Sequence, residues 1–346
     1  MNQSPRFTVV GAGHGGKAMA AHLALMGFEI TLYNRTFDHI VAIHQRGGLD
    51  LEGTDCGVKG FARLACVTSD MAVALEHADM VHVVLHPGRT CGAIEYVRTI
   101  REQGCTAEVI VAETETFIYA SRSDGPAQAR IFRVKEAVPL AALPSTRTQE
   151  VLEMIHLAYP QFIDGGNVLQ TGLNNMGAIF HPALTLLNAG WIESTHGDYQ
   201  FYIDGVTPSV GRVLEALDRE RVTVAASLGI RARTALEWLQ MAYNTYGEDL
   251  NEAIHNQPGY YGIKAPPTLN HRYIFEDVPM SLVPIASLGQ RYGVSVRGMD
   301  SIIRLGCIVH RTDYWRKGRT VEKLGLHDLS VSELTDFVTT GKIEAY

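Results

Sequence analysis

The run Phe7-Thr8-Val9-Val10-Gly11-Ala12-Gly13-His14-Gly15-Gly16 narrows the fold more than any other part of the chain. A short β-branched stretch ends in a GxGxxG turn at Gly11, Gly13 and Gly16. A helical stretch from His14 to Met26 follows, with Ala18, Ala21, His22 and Leu25 near one face and Gly27 as its terminator. Glu29 to Tyr33 then reads as a second strand. Strand, glycine turn, helix and strand in this order form a dinucleotide-binding unit. The first glycine permits the tight turn, the second lets the backbone approach a pyrophosphate, and the third lets the helix pack close to the strand. The free N–H groups of the helix end then face the phosphates, which assigns Gly11, Ala12, Gly13, His14, Gly15 and Gly16 to the cofactor.

The choice of dinucleotide turns on Asn34-Arg35-Thr36 at the end of the second strand. An NAD site usually has a carboxylate there to accept from the ribose 2′-hydroxyl. This chain has Asn34 in that place and Arg35 beside it, and a guanidinium pairs with a 2′-phosphate that a carboxylate would repel. The expectation is NADP(H) in preference to NAD, with Asn34, Arg35 and Thr36 in the cofactor site.

Further apolar stretches, Met80 to Leu85 and Val109 to Ala112, read as later strands of a doubly wound parallel sheet, with a helix from Cys91 to Glu102 between them. Beyond about Leu169 the pattern becomes helical: Asn174 to Leu187, Pro208 to Leu228, Thr234 to Tyr243 and Pro284 to Tyr292. The expected architecture is α/β, with a Rossmann domain over residues 1–168 and a mainly α-helical substrate domain over 169–346. A length of 346 residues suits two domains, and 46% hydrophobic content excludes a mostly disordered chain. A net charge of −7 argues against a nucleic-acid partner, and the apolar runs are too short and broken to span a bilayer. The five scattered cysteines, without a CxxC pair, suit reduced thiols, and a strand starts almost at once, which points to the cytoplasm.

On the first long helix of the second half, Asn174 and His181 are seven residues apart and so share a face. In dehydrogenases of this shape that helix carries the acid/base group. Many of them use a lysine, but no lysine lies between Lys135 and Lys264, which leaves a histidine mechanism. Taken alone, a histidine on an apolar helix is more often a satisfied core residue. A second polar cluster, Asn270 to Asp277, offers a carboxylate to orient an imidazole and an arginine to clamp a carboxylate, or else a solvated surface.

The segments GAGHGGKAMAAHLALMG, NNMGAIFHPALTLLNAGWIE, FYIDGVTPSVGRVLEALDRERVTVAASLGI, HRYIFEDVP and GRTVEKLGL, in that order, resemble the opine dehydrogenases of the octopine/nopaline dehydrogenase family. The resemblance implies a reductive condensation of an α-keto acid, such as pyruvate, with the amino group of an amino acid. A hydride from NAD(P)H reduces the imine. The family's histidine–aspartate pair falls on His181 and Asp277, and its carboxylate-binding arginine on Arg272. A substrate-contacting loop falls on Glu113 to Arg122, where the family often has a cysteine and this chain has Ser121. Thr116, Ser121 and Asn174 complete the expected substrate set.

Two other readings stay open from the residues alone. One is a hydroxy-acid dehydrogenase of the same architecture, and the other is an NADP(H)-binding sensor without catalysis. His196, His255 and His310 lack metal-ligand spacing, so no metal is expected, and Trp191, Trp238 and Trp315 read as packing aromatics. Apolar helical surface suggests a homodimer.

Overall fold

The computed structural model describes residues 4–53, 56–76, 78–83 and 90–342. Its contacts divide the chain at several points rather than once. One unit comprises Met1–Pro87, Thr116–Val138 and Leu152–Ile163; the other comprises Gly88–Glu115, Pro139–Val151 and Asp164–Tyr346.

The first unit opens with β1 (Phe7–Val10), the helix His14–Leu25 and β2 (Ile30–Tyr33). β3 (Gly48–Gly53), β4 (Gly60–Arg63), β5 (Cys66–Thr68) and β6 (Met80–Val83) follow. Among the described residues β5, β2, β1 and β6 form a four-stranded sheet in that order, with parallel pairings such as Phe7 with Ile30 and Phe7 with Met80. The expected strand end at Leu85 lies outside the described residues. β1 is buried on both faces, as a central parallel strand requires, whereas β2 alternates.

A second sheet in this unit was not foreseen. It has the order β4, β3, β9, β8, with β8 at Tyr119–Gly125 and β9 at Gln128–Val134. The helix His14–Leu25 packs against strands of both sheets. The small Gly16, Ala18, Ala20 and Ala21 allow that approach, and the helix is buried continuously from Gly16 to Leu23.

In the second unit, the segment expected as another parallel strand forms β7 (Val111–Thr114), antiparallel to β10 (Val138–Leu143). Every residue of β10 is buried, so the sequence VPLAAL resembles a two-face-covered parallel strand although its pairing is antiparallel. The helices beyond Leu187 match their signals. Thr207 caps Pro208–Ser227, Gly229 ends that segment with φ +72°, and Thr234 forms a capping box on Ala235–Tyr243. One continuous apolar core runs through this unit and includes Ile179, Leu184, Leu217, Ile285 and Ile303. Among the described residues no helix is long and apolar enough to cross a membrane.

Candidate active site

The glycine turn has the shape a dinucleotide requires. Gly11 adopts φ +106°, a conformation that favours glycine. A Cβ on Gly16 would lie 1.6 Å from the Gly11 carbonyl oxygen, so helix and turn meet with no room for a side chain. A Cβ on Gly13 would meet nothing within 4 Å, which leaves its backbone open to an approaching phosphate. A cavity of about 410 Å³ adjoins this position, lined by Ala12, Gly13, His14, Lys17, Ser123 and Gly125. The residues present fit NAD(P).

Asn34 closes the turn from the strand end: its Oδ1 accepts from the Ala12 N–H at 3.1 Å and its Nδ2 donates to the Thr36 carbonyl at 2.8 Å. Arg35 and Thr36 next to it are exposed. His14 accepts from the Ser123 N–H at 2.9 Å. Lys17 donates to Ser123 Oγ and the Gly125 carbonyl, both at 3.2 Å, and burial lowers its pKa. These two side chains tie the helix start to the β8–β9 hairpin.

In the second unit, His181 lies on the helix Met176–Leu187, which is capped by Asn175. Its Nδ1 is 2.8 Å from Asp277 Oδ2 and its Nε2 is 3.2 Å from the Tyr202 hydroxyl. Tyr273 stacks on the imidazole at 4.1 Å and 21°. Asp277 directly precedes a single π-helical turn, Val278–Leu282, a feature often found at functional sites. Its side chain is 1% exposed against 17% for His181, so the imidazole is the member of the pair that meets solvent. Burial raises the Asp277 pKa, and its hydrogen bond to His181 pulls against that rise. Arg272 is exposed, with its guanidinium 5.9 Å over the Tyr273 ring, and its charge favours the Asp277 carboxylate. His271, next to Arg272, is pushed down to about 4 by burial and by the charges of Arg272 and His181. It is therefore neutral at ordinary pH. An imidazole with a buried carboxylate on one nitrogen and a phenol on the other can hold and release a proton.

Comparison with known proteins supplies the family. Residues 164–310 match the family described as NAD/NADP octopine/nopaline dehydrogenase, alpha-helical domain. Residues 6–121 match the NAD binding domain of 6-phosphogluconate dehydrogenase. Over 98% of its length the chain is 34% identical to the opine dehydrogenase of Arthrobacter sp. (strain 1C), and the match covers 100% of that protein. The chain belongs to the opine dehydrogenases. As an opine dehydrogenase it is an NAD(P)-dependent oxidoreductase. Its fold is shared by octopine dehydrogenase in complex with NADH and agmatine, at TM-score 0.79 and 18% identity over 99% of both chains. Yersinopine dehydrogenase with NADP+ bound has it too, at TM-score 0.71 and 14% identity over 98% of this chain and 99% of that one.

Other residues of the opine dehydrogenase chain sit differently from the expectation. Asn174 is not on the His181 helix. It ends a separate short helix, Val168–Leu173, because Asn175 caps a new one. Its amide is 1% exposed and bound at both ends, donating to Glu115 Oε1 at 2.8 Å and accepting from the Arg233 N–H at 2.9 Å. It therefore braces the helix junction. Ser121 lies within β8, opposite Ile131, and not in a loop. Thr116 precedes that strand, in the connection after β7.

Several charged residues escaped the sequence reading. Glu115 is 4% exposed, shares Oε1 between Asn174 and Arg233, and leaves Oε2 buried without a hydrogen-bond partner among the described residues. Burial pushes its pKa up to about 7. The buried Arg319 donates to Glu95 and to the carbonyls of Thr90 and Met280. It falls in the family-like GRTVEKLGL segment, the one signal that pointed there. Tyr202 and Tyr273 likewise stand in family-like segments but carried no individual mark.

Proposed function

We propose that this opine dehydrogenase condenses an α-keto acid, such as pyruvate, with the amino group of an amino acid, and prefers NADPH. One water leaves as the imine forms between the two substrates. When bound, NAD(P)H supplies the hydride that reduces the imine carbon, and a proton completes the secondary amine.

The observation that carries this reading is the His181–Asp277 pair, with Nδ1 2.8 Å from a buried carboxylate oxygen. His181 serves as proton donor in the opine-forming direction and as base in the reverse direction. Asp277 fixes the Nδ1–H tautomer and balances the imidazolium. Arg272 clamps the keto-acid carboxylate, and Thr116 and Ser121 line the substrate pocket. Gly11, Ala12, Gly13, His14, Gly15 and Gly16 hold the pyrophosphate, with Asn34, Arg35 and Thr36 at the adenosine ribose.

The exposed guanidinium of Arg35 next to a strand end without a carboxylate supports the NADPH preference. The free cysteines support a reducing compartment, the cytoplasm. Exposed Leu305, Ile308 and Val309 on the helix Arg297–His310 support a homodimer.

The test is NADPH oxidation by the purified protein with pyruvate and a panel of amino acids, with the products identified by mass spectrometry. A secondary amine whose formation needs both substrates is expected. Turnover of a keto acid without any amine would instead make the protein a hydroxy-acid dehydrogenase.

A further inference from the structure

Tyr202 occupies the nitrogen of His181 that Asp277 does not. Its hydroxyl is 3.2 Å from Nε2, its ring stacks on Tyr260 at 4.3 Å and 19°, and only 7% of the residue is exposed. The backbone here is fixed as well: the Val206 N–H donates to the Tyr202 carbonyl and the Phe201 N–H to the Ile263 carbonyl. Phe201 stacks on Tyr273, which in turn covers the imidazole. The ring of His181 is thus held at both nitrogens and on one face, by two separate stretches of chain, 201–202 and 273–277.

The chemistry of the two partners differs. A carboxylate only accepts, so the Nδ1 proton belongs to the Asp277 bond, and the neutral ring presents a lone pair at Nε2. A phenol can serve that nitrogen in both of its states. It donates its hydrogen to the lone pair, and when Nε2 takes up a proton the hydroxyl rotates and accepts from it. A lysine could only donate there and a carboxylate could only accept.

We propose that Tyr202 is a positioning residue for the reaction, a phenol that bonds His181 Nε2 in either protonation state and yields that nitrogen to the substrate while the proton moves, so that the acid/base ring keeps one tautomer and one orientation between transfers. The proposal rests on the acid/base reading of His181 given above. Burial keeps the Tyr202 hydroxyl well above its ordinary pKa, so the proton exchanged is not its own. The groups facing this pair are Arg272, Glu276 and His271 near Asp277, with the phenols of Tyr273, Tyr260 and Tyr243 around Tyr202. Hydrogen bonds to a charged partner are about twice as strong as neutral ones, so the phenol favours the protonated imidazole on balance.

The experiment compares Tyr202→Phe, which keeps the stacked ring, with Tyr202→Leu, which removes it. Steady-state rates in both directions are followed across pH, together with the NADPH dissociation constant. For Tyr202→Phe a roughly ten-fold loss in kcat is expected, with an unchanged NADPH dissociation constant and the proton-donor limb moved to lower pH by about half a unit. NMR of histidine-labelled protein reads the His181 titration without turnover, and a lower midpoint in the Phe variant is expected. Wild-type kcat and an unmoved midpoint in Tyr202→Phe, with loss only in Tyr202→Leu, would reduce Tyr202 to packing and overturn the proposal. His181→Asn separates the two levels: full activity in that variant sinks the acid/base reading itself. An inactive His181→Asn beside a wild-type-like Tyr202→Phe sinks only the role of Tyr202.

Discussion

His181 and Asp277, 96 residues apart, meet through a 2.8 Å Nδ1–Oδ2 contact in which only the imidazole reaches solvent. That asymmetry lets one partner exchange a proton while the other stays fixed. Asp277→Asn keeps the shape and removes the charge that balances an imidazolium. We expect kcat to fall by about 10²–10⁴-fold with the NADPH dissociation constant unchanged, measured by steady-state kinetics and fluorescence titration. A loss of less than five-fold would argue against the pair as the proton-handling unit.

Arg272 is exposed and lies over the Tyr273 ring beside the pair. Arg272→Lys retains a charge but loses the planar fork that matches a carboxylate. The KM for the keto acid should rise by about ten- to a hundred-fold, with a smaller effect on the amino-acid KM. Equal changes in both constants would mean that Arg272 does not select the keto acid.

Arg35 decides between the dinucleotides if its guanidinium meets the 2′-phosphate. Its exposure lets solvent screen that pair, so Arg35→Asp should move selectivity toward NAD(H) by about 1–2 kcal/mol, on the order of five- to thirty-fold in relative kcat/KM. Unchanged selectivity would retire this reading of the strand end.

Gly16→Ala would set a methyl group 1.6 Å from the Gly11 carbonyl oxygen, against backbone that cannot swing aside. A destabilisation of about 3 kcal/mol or more is expected, with loss of cofactor binding, readable in thermal melts with and without NADPH. Gly13→Ala meets no atom within 4 Å, so it should fold normally and lose affinity only for the dinucleotide.

Glu115 predicts a pH effect on stability. Its folded pKa of about 7 exceeds the ordinary carboxyl value of 4.5, so the folded chain retains a proton that the unfolded chain releases. Stability from this group is therefore present below the unfolded value and is lost as pH rises toward 7. Glu115→Gln should flatten the unfolding free energy across that window, by about 3 kcal/mol at most, in urea titrations at several pH values. An identical slope in wild type and variant would count against a buried, proton-retaining Glu115.

The parts of the fold legible from sequence were those whose signals are local. The glycine turn and the helices around Pro208–Ser227 and Ala235–Tyr243 depend on neighbours within a few residues, and these elements formed where expected. β3, β4, β8 and β9 were not legible: Tyr119–Gly125 is a polar run, with Ser121, Arg122, Ser123 and Asp124, that pairs with the adjacent β9, and the sheet is completed only by the pairing of β9 with the distant β3. The antiparallel pairing of β7 with β10 was hidden for the same reason: burial on both faces leaves the same apolar run for either direction. The break between Leu173 and Met176 was hidden by continuous helical periodicity, and only the partners of Asn174 and Asn175 reveal it. His181, Arg272 and Asp277 were marked as candidates through resemblance, whereas Tyr202 meets His181 across 21 residues that no spacing rule marks.

Among the described residues the chain passes from one compact unit to the other between Val83 and Thr90 and again at 115/116, 138/139, 151/152 and 163/164. The nucleotide-binding half is therefore completed only when the stretch ending at Ile163 has left the ribosome, after strands belonging to the helical half have already emerged. During synthesis β7 and β10 must wait, exposed, for the core built by the residues beyond Asp164, an interval in which a slow translation or a destabilised helix junction would favour aggregation over assembly.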